Sequence, residues 1–288
     1  MKLDLSKLAL GSVQFGLDYG INNANGVVQF EEVKRILAVA FSNNIRTIDT
    51  ARLYGNSETV LGQFNLNDWL IVSKFSSQMD ESSIEDEFQA STLNLQLEKL
   101  YGYIAHSAEI LIENPKYWSQ LKLLKEQGLV SRIGFSIYKT EQLEKLLDLG
   151  YIPDLVQVQY NLLDRRFEPY FEPLKKLNCE IHSRSAFLQG LFFKEHIPDY
   201  FLPIKSFLKE IQFLYPNTFE RAAFLLAFCL KNPFIDKVVI GVQSAKELQD
   251  NIDALQTFNP RVNSQIALPN FDSEIILPYN WPKQNDNG

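Results

Sequence analysis

A carboxylate, a phenol, a lysine and an imidazole lie along three successive apolar runs, and together they could deliver a proton to a carbonyl oxygen. Asp49 and Tyr54 belong to Arg46-Thr-Ile-Asp-Thr-Ala-Arg-Leu-Tyr-Gly55, Lys74 to Leu70-Ile-Val-Ser-Lys-Phe75, and His106 closes Tyr103-Ile-Ala-His106. A lysine that ends an apolar run either reaches solvent or takes a buried carboxylate, and Asp49 is the available partner. An ammonium held by Asp49 beside Tyr54 would stabilise tyrosinate and lower the phenol from its ordinary pKa of about 10. Such a phenol is a general acid for a carbonyl oxygen during hydride addition, with His106 polarising the same oxygen or orienting the substrate. Two other readings fit the same residues: a rim ion pair beside an unrelated tyrosine and histidine, or Lys74 as a Schiff-base nucleophile. His182 and His196 have no ligand spacing with His106, so no metal site is expected.

These groups meet only if the runs are consecutive strands of a parallel barrel, which keeps its chemistry at the C-terminal rim. The chain alternates as that demands. Leu8 to Gly16 opens as a buried strand, with Gly11 and Gly16 where backbone must approach something closely. Glu31 to Asn44 is an amphipathic helix with Val33, Ile36, Leu37, Ala40 and Phe41 on one face. Asn56 or Ser57 caps a second helix, and Ser82-Ser-Ile-Glu85 has the form of a capping box after the strand Trp69–Phe75. Leu100 to His106 is the fourth strand, followed by a helix over Tyr117–Gln127 that Gly128 ends. Strands at Arg132–Ser136, Leu155–Tyr160, Glu180–Ser185 and Lys237–Gly241 alternate with helices at Lys139–Asp148, Glu168–Asn178 and Phe219–Lys231. Pro173 should bend or delay the second of these helices. Ser244 caps a last helix, Lys246–Leu255. Eight strands followed by helices predict a (β/α)8 TIM barrel, one domain over residues 1–288. About 187–216 forms an extended insertion after the seventh strand with a helix over Ile204–Phe213, and about 259–288 forms a tail whose polar end is expected to be disordered.

The length of 288 residues suits such a barrel, and a hydrophobic fraction of 45% supplies its core. The net charge of −7 argues against a nucleic-acid partner, because phosphate binding needs a basic face. No apolar run nears the roughly 20 residues that span a bilayer, and the N-terminus lacks a signal-peptide core, so cytoplasmic residence is expected. Cys179 and Cys229, without CxxC spacing, read as reduced packing thiols.

From Leu8 to about Leu255 the sequence resembles the aldo-keto reductase family, including bacterial members linked to surface-sugar pathways. The matches are Leu10-Gly-Ser-Val-Gln-Phe-Gly16, Ile48-Asp-Thr-Ala-Arg-Leu-Tyr-Gly55, Ser73-Lys74, His106, Gly134-Phe-Ser136, Gln157-Val-Gln-Tyr-Asn161, and Ile240-Gly241 followed by Asp250-Asn251. The resemblance implies a (β/α)8 barrel and a reductase with a tetrad of Asp49, Tyr54, Lys74 and His106. By the same resemblance it would act on an aldehyde, ketone or sugar carbonyl. NADPH is the expected cofactor, with NADH possible, because Lys246 stands beside Glu247 where a basic residue often clamps the ribose 2′-phosphate. Ser136, Gln157 and Arg184 would lie at the nicotinamide, with Gly11 and Ser183 as further cofactor-binding candidates. Gly241, Gln243, Ser244, Glu247, Asp250 and Asn251 would lie along the adenosine half.

Some positions depart from the family. Ile137 replaces a common asparagine beside the amide-binding serine, Ser107-Ala-Glu109 replaces the commoner Pro-Asp, and Arg184 stands where an aromatic usually stacks on nicotinamide. Its guanidinium would stack in the same way, bind a substrate anion, or form a structural ion pair. Phe187, Phe192, Phe193 and Tyr200 either wall an apolar pocket or pack the insertion onto the barrel. A regulatory barrel that keeps the nucleotide site without turnover is the competing function. The oligomeric state is not legible.

Overall fold

In a computed structural model that describes residues 3–21, 23, 25–76, 83–258, 268 and 271–282, eight strands close into one parallel barrel in sequence order. They are β1 (Leu8–Gly11), β2 (Thr47–Asp49), β3 (Leu70–Phe75), β4 (Leu100–Ala105), β5 (Val130–Ile137), β6 (Leu155–Gln159), β7 (Glu180–Arg184) and β8 (Lys237–Gly241). Closure comes from pairing of β1 with β8, with Gly11 opposite Gly241. The expected (β/α)8 class therefore holds. Val72, Ile104 and Leu155 pack inside the barrel, and the larger apolar core lies between the strands and their helices.

The helices follow the apolar spacing of the sequence. In chain order they are α1 (Val13–Gly16), α2 (Phe30–Ser42), α3 (Ser57–Leu61), α4 (Ile84–Leu95), α5 (Ala108–Glu113), α6 (Lys116–Glu126), α7 (Thr140–Asp148), α8 (Glu168–Lys176), α9 (Leu202–Leu214), α10 (Thr218–Lys231), α11 (Ala245–Thr257) and α12 (Ser273–Ile276). Val33, Ile36, Leu37 and Ala40 of α2 are buried, as their three-and-four spacing demands. Phe41 lies at the edge instead, exposed beneath the Arg46 guanidinium 3.6 Å from its ring. The box that starts α4 uses Ser83 and Asp86, one residue later than Ser82 and Glu85, and Ser82 lies outside the described residues. Neither expected side chain caps α3: the Ser57 hydroxyl donates to Ser12 instead. α8 runs through Pro173 to Lys176, and Gly128 and Gly150 end α6 and α7 with positive φ.

Two corrections bear on the rim. The opening strand stops at Gly11, and Val13–Gly16 is a helical turn, because Gly16 must pass directly under the loop that carries Tyr54. A Cβ at Gly16 would lie 1.9 Å from the Tyr54 carbonyl oxygen, and one at Gly55 2.3 Å from the Gly16 oxygen. A sequence without strong periodicity also hid α5, which Ser107 caps by accepting the Glu109 N–H.

The segment between β7 and α10 holds 3-10 turns at Leu188–Phe193 and Asp199–Phe201 and then α9. It packs with Leu225 and Ile276 into a second apolar cluster. The residues after α11 thereby join the fold: Gln159 donates to the Ile276 carbonyl at 2.6 Å, and Trp281 donates to Ile275 at 2.7 Å and packs on Phe201. The expected disorder after Lys283 concerns residues outside those described. Among the described residues no helix is long and apolar enough to cross a membrane. Cys179 and Cys229 are buried free thiols, each pushed up by burial.

The glycine contact gives a test of how the tyrosine loop is held. Gly16→Ala should force the backbone apart and cost about 1–3 kcal/mol, a fall of roughly 3–10 °C in melting temperature. An unchanged thermal midpoint would mean that the loop is not held there.

Candidate active site

β2 places the site. Its last residue, Asp49, accepts the Ser12 N–H at its carbonyl, and the chain then continues along β3, with Thr50 N–H on Val72 and Arg52 N–H on Lys74. Gly55, at φ 57°, turns the chain so that Tyr54 faces back over the barrel. Lys74 extends up from β3 and is almost completely buried. Its ammonium donates to Asp49 Oδ2 at 2.7 Å, to the Thr50 carbonyl at 3.0 Å and to the Tyr54 hydroxyl at 3.3 Å. His106 follows β4 and meets the Tyr54 ring edge-on, with centroids 5.6 Å apart. The four expected residues therefore form one cluster.

The electrostatics differ from expectation in one respect. The Tyr54 phenol is raised well above its ordinary value, by burial first and then by the nearby Asp49 carboxylate, with Arg184 opposing. Lys74 does not produce the expected net lowering. Its charge is balanced by Asp49, and burial pulls the amine itself down while Asp49 supports it. Burial, assisted by Lys74 and Arg184, pushes His106 down to about 3, so the ring is neutral at ordinary pH. The site thus offers a protonated phenol whose oxygen is already engaged by Lys74, leaving its O–H to donate elsewhere.

These groups open into a cavity of about 710 Å³ at the C-terminal rim, a size suited to a small-molecule ligand. Gly11, Ser136, Gln157, Arg184, Gly241, Gln243, Ser244, Glu247, Asp250 and Asn251 line it together with Asp49, Tyr54 and His106. Lys74 lies beneath it. Ser183 does not reach it: the side chain is buried, and its hydroxyl donates to the Lys237 carbonyl, because alternate residues of β7 face opposite ways. The Gln157 amide is not free, since its Nε2 donates to Asp49 Oδ1 at 2.7 Å. Ile137 is buried in the outer core and offers only its carbonyl, to Arg184 at 3.4 Å.

At the far end, Ser244 caps α11 by accepting the Glu247 N–H at 3.0 Å, and Glu247 folds back to accept the Gln243 N–H at 2.8 Å. Lys246 pairs with Asp250 at 2.6 Å. Three cavity residues hold a buried polar atom without a hydrogen-bond partner among the described residues: Gln14 Oε1, His106 Nδ1 and Asn251 Nδ2. Buried polar groups are normally paired, so these atoms, spread along the cleft, fit a long polar ligand. A Cβ at Gly241 would come 2.5 Å from the Gln14 amide, so any larger residue there would displace the Gln14 side chain from the cleft.

Three residues near the chemistry escaped the sequence reading. Tyr138 lies two positions after Ser136 and lines the same cavity, a signal that period-two counting along β5 would have found. Tyr19 and Gln14 come from the segment after β1, where no periodicity marks them. The four aromatics of the insertion divide: Phe187 and Phe193 line the cavity, Phe192 is buried in the second cluster, and the Tyr200 hydroxyl donates to the Glu274 carbonyl.

Comparison with known proteins adds the lineage. The chain is 20% identical over 281 residues to the uncharacterized oxidoreductase YqkF of Bacillus subtilis (strain 168), covering 88% of each. It is 22% identical over 305 residues to the NADH-specific methylglyoxal reductase of Escherichia coli (strain K12), covering 88% of this chain and 90% of that protein. The solved structure of aldo-keto reductase AKR11C1 from Bacillus halodurans, in its holo form, aligns with a TM-score of 0.72 at 19% identity, covering 89% of this chain and 90% of that one. The family model "Aldo/keto reductase family" matches residues 7–267, and with that span the chain belongs to the aldo/keto reductases.

Proposed function

We propose that this NAD(P)-dependent oxidoreductase reduces a small aldehyde or ketone by proton delivery from Tyr54, the reading carried by the single contact between the buried Lys74 ammonium and the Tyr54 oxygen. The Gly241–Ser244 loop, Ser136 and Asn251 would hold the nicotinamide dinucleotide, which supplies the hydride when bound. Tyr54, protonated at working pH, donates to the carbonyl oxygen as negative charge gathers there. Lys74 then stabilises the phenolate oxygen left behind, and Asp49 keeps the ammonium in place. Gln157 orients Asp49 from across the barrel. His106, neutral and edge-on to Tyr54, orients the carbonyl rather than transferring a proton.

A Schiff-base role for Lys74 is disfavoured by the same geometry. An ammonium has three donors and no acceptor, and Asp49, Thr50 and Tyr54 take all three. A purely regulatory role leaves the buried ion pair without a purpose. At the adenosine end, the Gln243 N–H is already taken by Glu247, and Lys246 is held by Asp250. A 2′-phosphate there would meet the Glu247 carboxylate, and Lys246 beside it is shared with Asp250, which supports NADH over NADPH.

Three outcomes test the reading. Tyr54→Phe should lower kcat by about 10²–10⁴-fold while the Kd for NADH, followed by quenching of tryptophan fluorescence, stays within about twofold; near-native turnover would remove Tyr54 from the mechanism. Because His106 titrates near 3 and Tyr54 well above its usual range, kcat/KM for reduction should show no histidine-like midpoint between about pH 5 and 8. A midpoint near 6.5 that disappears in His106→Asn would contradict the neutral role. Glu247→Ser should strengthen NADPH binding about tenfold relative to NADH, the scale of one removed repulsive contact, and an unaltered ratio in titrations with both cofactors would release Glu247 from that role.

A further inference from the structure

Arg184 is unlike the other half-buried or buried arginines of known pairing in this molecule. Arg166 pairs with Asp164 at 2.6 Å, Arg132 with Glu180 at 3.1 Å and Arg52 with Glu58 at 3.5 Å, while Arg221 donates to the carbonyls of Tyr215, Phe192 and Pro216. Arg184 has no carboxylate within 4.0 Å among the described residues. Of its five N–H donors, the described contacts engage one, with the Ile137 carbonyl at the long distance of 3.4 Å. Its guanidinium lies 4.2 Å from the centre of the Tyr138 ring, which positions a cation without neutralising it.

The location turns that deficit into a site. Arg184 lines the same cavity as Tyr54 and His106, and its charge is felt at both of them and at Lys74. Tyr19 and Gln189, joined by a 2.9 Å hydrogen bond, line the cavity too and add polar groups to that wall. The other cation of the centre, Lys74, is fully engaged by Asp49, Thr50 and Tyr54. A partly desolvated cation without a counter-ion is costly and is normally paired. The protein as a whole carries a net charge of −7, so attraction of an anion to this cleft has to be local.

We propose that Arg184 binds an anionic group of the substrate, and that the enzyme selects carbonyl compounds bearing a carboxylate or phosphate near the reacting carbon. This rests on the reductase reading above and narrows its substrate class. Carboxylate and phosphate present the same bidentate oxygen geometry to a guanidinium, so the test separates them.

Two matched pairs differ only in the anion or closely approximate that difference: succinic semialdehyde with butanal, and glyceraldehyde 3-phosphate with glyceraldehyde. In the wild type, kcat/KM for the anionic member of at least one pair should exceed that of its neutral partner by tenfold or more. Whichever pair shows it identifies the anion. Arg184→Met should reduce that ratio by about 10–100-fold, the scale of a lost charge-assisted hydrogen bond, mainly through KM, and Arg184→Lys should retain part of it. The Kd for NADH, from tryptophan fluorescence, should move little. A wild type without anionic preference overturns the proposal, and so does an Arg184→Met variant that loses cofactor affinity and both substrates alike. A second measurement needs no turnover: succinate or inorganic phosphate titrated calorimetrically into the wild-type protein with NADH present should bind saturably, and Arg184→Met should abolish it. Absence of that binding in the wild type overturns the anion site, whereas saturable binding without any carbonyl reduction would leave the anion site standing and defeat the reductase reading.

Discussion

The structure depends on keeping one ammonium charged inside a barrel. Lys74 can be buried there only because the end of β2 gives it a carboxylate and the segment after it bends to add a carbonyl and a phenol oxygen. Removing one partner of such a pair generally costs about 3–5 kcal/mol, because the survivor is left uncompensated. The conformation of the whole Asp49–Tyr54 segment is thereby fixed by the charge it surrounds. Gln157, from the opposite side of the barrel, takes the second oxygen of Asp49, so strands distant in sequence share one hydrogen-bonded unit. Glycines at 16 and 55 then let two stretches of backbone touch where side chains would keep them apart.

Around this fixed centre the walls have separate origins. One is β8 and the start of α11, where the Gln243, Ala245 and Glu247 N–H groups are satisfied by Glu247, Glu32 and Ser244 side chains. The other is the segment after β7, whose apolar side chains have their own cluster with α10 and the tail. Arg184 marks the boundary between them. This division lets the chemistry stay with the strands while the outer wall changes with the compound it must admit, as barrels of this class generally permit.

How much of this the sequence revealed depended on the range of the interaction. Eight strands and most helices were legible, because burial of one face leaves a period that local counting detects, as at Val33, Ile36, Leu37 and Ala40. Asp49, Tyr54, Lys74 and His106 were legible as ionisable residues in apolar runs, and their meeting followed from barrel geometry. Legibility ended where a contact joined segments without periodicity. Tyr19 reaches the cavity from an irregular stretch and Gln14 from the four-residue helix α1, and the Gln157–Asp49 bond crosses 108 positions of sequence. Ser183 was expected at the cofactor together with Arg184, but adjacent residues of one strand face opposite ways, and only Arg184 lines the cavity. The direction of the Tyr54 shift was misjudged for a different reason: Tyr54 lies in a loop, where burial leaves no periodic pattern, and burial dominates its shift.

The segment at 271–282 sets a practical boundary for anyone handling this protein. Likeness to the family ends at residue 267, and a gene trimmed to that limit would discard Ile276, whose carbonyl receives the buried Gln159 amide, and Trp281, which covers Phe201. The shortened polypeptide would emerge from the ribosome with an unsealed greasy flank and a polar group facing nothing, a recipe for inclusion bodies.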